Sequence, residues 1–513
     1  MRQLEIRTKP IPRRYNLTSA HYLVEPPSAL TEMTLLSRLQ HARAAVQDID
    51  DQLDILQQRR NTASAACDDL LAEFSRDFFV TVPEELLILI FDHVATIYDT
   101  WECAHMMYQH ERALMPYRLA AVCWRWRTAA IATSGLWTYL GVDMATKDTN
   151  AEVARIELLK DRSGVAGVDV IFGRAGTAQE THNYEFNDAK LMPLASALLA
   201  VTWRWRRVEW YSPSDECEKA VLQAFDEPTP LLEVLSLVQN GNDGPPIADG
   251  HLNSAPRLST LRIEVHDDQS WWTPRRSGDF HSLTMLTIWS DLPTSCILDL
   301  LGTVGSTLRE LNLGMALQVT AAGLPEVVTL PSIERLALFD LAWASILRVG
   351  RLRVLGISSL STKALPNPAA LQSLSSATEV WLFTAQIDLD VAAFRQFPNV
   401  EVLAVATPHA IKAWDWAGYH TVPSGFFTSI VNLEPPVLPR LRHIRLARRG
   451  DPNSDPDVAN FEDLMQFVRS RNSGRTLVEH SERPCRLDSV IIEDGGLPER
   501  MRQDLDLFLS PNY

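Results

Sequence analysis

An α/β solenoid, preceded by an all-α module and a long N-terminal helix, is the fold this sequence predicts. Three observations carry that reading. The pattern apolar-x-x-apolar-x-apolar recurs from about residue 200 onward. Residues 31–75 hold an apolar heptad with no proline or glycine. Between them, "TVPEELLILIFDHV" at 81–94 is apolar around most of a helix's circumference, yet too short to cross a bilayer.

Composition limits the function classes. The chain has 513 residues, long for one core, so more than one domain is expected. It is 46% hydrophobic and 22% charged, which is globular rather than disordered. A net charge of −16 argues against a chain-wide nucleic-acid binder. The six cysteines are scattered and form no CxxC, which fits a reduced compartment. The first residues, "MRQLEIRTKPIPRRY", contain no apolar core of a secretory signal. No membrane span is expected, and the location expected is cytoplasmic, nuclear or both.

Residues 1–30 carry Pro10, Pro12, Pro26 and Pro27 without periodicity and read as a flexible tail. Over 31–75 the seam Leu35, Leu39, Ala42, Val46, Ile49, Leu53, Leu56, Ala63, Cys67, Leu70 and Phe74 follows steps of four and three, interrupted by Arg60. Such a seam must bury against another helix. It is either a dimerising coiled coil, making a homodimer, or a helix folded back on its own chain.

Residues 76–140 form the all-α module. Thr81 and Glu84 have capping-box spacing, with Pro83 in the first turn. This predicts a helix over about 82–94. A second helix is predicted over 117–131, "YRLAAVCWRWRTAAI", with Leu119, Val122, Cys123, Trp126 and Ala130 on one stripe. "SGLW" then supplies Trp137 as an apolar anchor.

In combination, "VPEELLILIF", "LAAVCWRW" and the closing "LW" resemble an F-box. The likeness is to fungal F-box proteins in which a coiled helix precedes the box. The resemblance implies a three-helix unit that docks on a Skp-type linker subunit and through it on a cullin. It carries Pro83, Leu86, Ile90, Phe91, Leu119, Val122, Cys123 and Trp126 over to docking or box-core positions. One face of helix 82–94 is then expected on Leu119, Val122 and Trp126, and the other under the partner. The sequence departs from the family at Val82, where leucine is common, and at Trp124, where a basic residue is usual. Its insert at 96–116 is also longer. Cys103, His105 and His110 in that insert lack the paired spacing of a metal site and read as loop residues.

The solenoid is predicted over 141–513. Copies of the pattern start at Trp205, Leu232, Leu258, Leu283, Leu308, Ile333 and Leu352, in steps of 27, 26, 25, 25, 25 and 19. Later copies begin at Ala377, Val400, Leu441 and Leu487, and earlier ones at Trp137 and Val165. A sustained step near 25 is the mark of leucine-rich repeats, here degenerate. "ARIELLKDRSG" at 154–164 supplies a helix between the two earliest strands.

Within each copy, alternate strand residues point outward along the inner curve of a solenoid. One outward column is Ser236, Arg262, Thr287, Asn312, Ala337, Gly356, Trp381, Ala404 and Arg445. The next includes Glu264, Trp289, Gly314, Phe339 and Phe383. Trp289, Phe339 and Phe383 are therefore expected as exposed anchors for a target protein, with Trp381, Arg262 and Glu264 beside them. The alternative is a cover formed by 407–440 or 448–485.

No nucleotide loop, nucleophile elbow, metal pair or Gly-rich fingerprint occurs. No catalytic residue, metal or cofactor is expected. The resemblance implies the non-catalytic substrate receptor of a cullin-type ubiquitin ligase, with an unknown target protein and no nucleic acid or membrane partner. The alternative is a leucine-rich-repeat scaffold unrelated to ubiquitination. A more distant alternative is an enzyme whose site matches no known motif.

Overall fold

The computed structural model describes residues 29–96, 108–173, 188–212, 214–225, 227–239, 255–265, 280–289, 294–314, 317, 327–357, 368–382, 391–405, 425–434, 436–447, 458–472, 484–493 and 499–510. Two compact units divide the chain, Met1–Pro83 and Glu84–Tyr513.

In the first unit the absence of helix breakers has its full effect. Helix α1 runs unbroken over Ala29–Thr81, 53 residues or about 80 Å. From Ser37 to Leu70 every side chain is exposed, the seam residues Leu39 to Leu70 included; the side chains of Leu35 and Phe74 lie outside the described ones. The helix extends through Thr81, so Thr81 does not cap the next one; α2 (Glu84–Thr96) starts directly after Pro83. Proline disfavours helical backbone in the residue before it, and the chain bends at Val82.

The second unit opens with α2, then α3 (His110–Val122) and α4 (Trp124–Ala132). The single helix expected over 117–131 is two helices. Cys123 is extended, with φ −159° and ψ 173°, and its sulfur accepts the Trp126 N–H at 3.5 Å as the cap of α4. The latter part of the insert, from His110, is helical. Cys103 and His105 lie outside the described residues.

Next come β1 (Tyr139–Asp143), α5 (Thr149–Ser163), β2 (Val168–Gly173), α6 (Asp188–Leu199), β3 (Trp205–Ser212), α7 (Asp215–Ala224), β4 (Val234–Gln239), β5 (Thr260–Val265), β6 (Met285–Trp289), α8 (Thr294–Val304) and β7 (Glu310–Leu313). Then follow β8 (Val328–Leu330), β9 (Arg335–Leu338), β10 (Leu347–Val349), β11 (Val354–Ile357), β12 (Glu379–Leu382) and β13 (Val402–Val405). The chain closes with α9 (Phe426–Val431), β14 (His443–Ala447), α10 (Val458–Asn472), β15 (Ser489–Glu493) and α11 (Glu499–Leu509).

Thirteen of these strands form one parallel sheet in chain order, while β8 and β10 pair separately. Sequential parallel strands with crossovers between them are compatible with an α/β solenoid. The pairing register aligns Ser236, Arg262, Thr287, Asn312, Ala337, Gly356, Trp381, Ala404 and Arg445 in one row. The residue before each strand continues the ladder. Thr284 N–H donates to Ser259 O at 2.8 Å, Arg309 to Thr284, Glu334 to Arg309 and Arg353 to Glu334.

Inward positions form the core. Leu286, Leu336 and Leu382 are buried, as are the leading residues Leu258, Leu283 and Leu308. In the second-earliest copy Val168 and Val170 are buried, but Val165 is exposed because it follows the turn at Gly164, φ 57°. The short step of 19 has a local cause: the crossover from β9 to β11 is a 3-10 turn, Leu341–Ser345, and β10 instead of an α-helix. In the long gaps, α9 packs on α10 and on the 3-10 turn Val391–Gln396 through Phe426, Phe427, Phe467 and Phe394. These described parts act as crossovers.

Candidate functional site

Two surfaces hold the candidate residues. The first is α2. Leu87 and Phe91 are one turn apart and fully buried. The Phe91 ring meets Trp126 edge-on at 5.1 Å between centroids. Trp137, also buried, donates its indole N–H to Ala130 O at 2.7 Å. On a different face of α2, Leu86, Leu89 and Ile90 sit at i, i+3 and i+4 and are exposed, Leu86 at 48% and Leu89 at 62%.

Of the residues carried over from the resemblance, Phe91 and Trp126 meet in the core. Pro83, Leu86, Ile90, Val122 and Cys123 are exposed, and Leu119 is half-buried. The expectation that Val122 packs on helix 82–94 is corrected. The break at Cys123 ends the common stripe, so Trp126 and Ala130 turn inward while Val122 does not. Trp124, singled out in the sequence only as a departure from the family, is 77% exposed beside that break.

Helix α3 fixes this module on the sheet. Ala113 packs with Tyr139 and Ile171, two outward residues of β1 and β2. Arg112 pairs with the fully buried Asp169 at 2.7 Å and lies 4.5 Å over the Tyr139 ring. Arg206 adds two bonds of 2.9 Å to the same carboxylate. Burial alone would raise the Asp169 carboxyl, but Arg206 and Arg112 hold it below the ordinary carboxylate range. Burial pushes the Tyr139 hydroxyl up; that hydroxyl accepts the Gln109 N–H at 2.9 Å. The signal for this cluster was a charged residue inside the apolar run "VDVIF".

The second surface is the outward side of the sheet beyond β3. Trp289 occupies the expected position, but it is 8% exposed, and Trp381 is 6% exposed. The expectation of exposed tryptophan anchors is therefore corrected. Trp289 lies flat over Gly314 of the next repeat, where an added Cβ would come within 2.2 Å of its ring. Phe339 stands 6.5 Å beyond. Trp381 packs on Val354 and Ala404 and donates its N–H to Glu379 at 2.6 Å. Phe339 is 43% exposed. Phe383 lies outside the described residues.

The charged candidates bind one another. Arg262 Nε donates to Glu264 at 3.0 Å on the same strand. Arg335 reaches Glu310 at 3.3 Å across strands, and Asn312 donates to Thr287 at 3.1 Å. The result is a flat lattice of cross-linked polar pairs with aromatic rings laid into it. Among the described residues no three His, Cys, Asp or Glu side chains converge as metal ligands. No helix among them is long and apolar enough to cross a membrane. No family model matches the chain, and no curated protein matches it.

Proposed function

We propose that this protein is the substrate receptor of a cullin-type ubiquitin ligase, with residues 76–140 as an F-box and the leucine-rich-repeat solenoid as the target-binding part. The observation that carries the reading is the double use of α2. Leu87 and Phe91 lock it into its own module, while Leu86, Leu89 and Ile90 form an exposed apolar group on another face. Single exposed leucines are ordinary, but three on adjoining turns fit a face that a partner covers. The motif combination around Pro83, Trp126 and Trp137 supports the same reading. Burial of Asp169 between Arg112 and Arg206 ties the docking module to the sheet, as a receptor needs if it is to hold a target at a set distance. Catalysis is then positional, through effective concentration.

Full-length protein co-expressed with a Skp-type linker subunit should co-purify with it. Leu86→Asp with Ile90→Asp should abolish the association. Failure of the wild-type chain to retain any Skp-type subunit leaves the scaffold reading instead.

A further inference from the structure

We draw no further inference here: the strongest candidate, the open edge of β15 at the end of the sheet, where Ile491 is exposed beside backbone groups of Val490 that face away from β14, carries nothing, because no described residue shows whether a second copy of this chain or an extended segment of another protein covers it.

Discussion

On the outward side of the sheet, large aromatic residues are buried; on helix α2, smaller apolar residues are exposed. Trp289 and Trp381 are covered, whereas Leu86 and Leu89 are not. Geometry explains the contrast. Neighbouring strands lie about 4.8 Å apart, so a ring on one strand can lie across the next if that strand offers a small residue. Gly314 takes the Trp289 ring, and Val354 and Ala404 take Trp381. A helix face has no such neighbour unless another element is brought to it. Periodicity tells which way a side chain points, and the adjacent element decides whether it is wetted.

The largest expected loss would come at the junction of the two regions. Asp169→Ala leaves Arg112 and Arg206 without their buried carboxylate, and breaking such a pair costs about 3–5 kcal/mol. Urea unfolding of the full chain measures it. The same group predicts a pH dependence. Its folded pKa lies below its unfolded value of about 3.9, so its stabilisation is present above that value and lost as pH falls through the lower folded value. The stability gap between wild type and Asp169→Asn should therefore shrink below about pH 4. A gap that holds constant into stronger acid would mean that the Asp169 charge contributes nothing.

Comparable in size are the losses expected for the tryptophans on the sheet. Trp289→Ala should cost about 3–5 kcal/mol, comparable with the 2–5 kcal/mol expected for the inward Leu286→Ala. Gly314→Ala pushes a methyl group into the indole and should cost about 1–3 kcal/mol. Phe339→Ala, at the lattice's open end, should cost about 1 kcal/mol or less, near the surface range. Thermal unfolding of these four variants ranks them. If Trp289→Ala proved as mild as Phe339→Ala, the ring would not be part of the fold, and Trp289 would become a candidate anchor again.

Most of the strand register was readable in the sequence, because each repeat must present its leucines to one stacked core. The row from Ser236 to Arg445 follows directly from that constraint. The helix in 31–75 was readable for the opposite reason: nothing in it breaks a helix. What was not readable depends on partners distant in sequence. Nothing near Trp289 reveals that Gly314, a repeat later, leaves room for its ring. Nothing near Arg112 reveals that Asp169 awaits it. The break at Cys123 was hidden because "LAAVCWRWR" keeps good helical periodicity through it. The chain there caps a new helix with a cysteine sulfur, a weak acceptor with no strong sequence signature.

The smallest expected effect on stability belongs to the surface assigned the largest role in binding. Leu86 and Ile90 lose little on substitution, because a side chain already in water has little transfer energy to forfeit. Leu86→Asp and Ile90→Asp should each leave the unfolding free energy within about 0.5 kcal/mol of wild type. Leu86 lies in the first turn of α2, where an added carboxylate suits the helix dipole and offsets part of any loss. Leu87→Ala and Phe91→Ala, in the same helix but in the core, should cost about 2–5 kcal/mol each. Urea unfolding of the four variants separates the two faces of one helix. Binding to a Skp-type subunit, measured on the same proteins, should fall for the stable aspartate variants. If instead the aspartate variants unfold as readily as the core ones, α2 is covered within its own chain. The exposed face, and with it the docking surface, would then be lost.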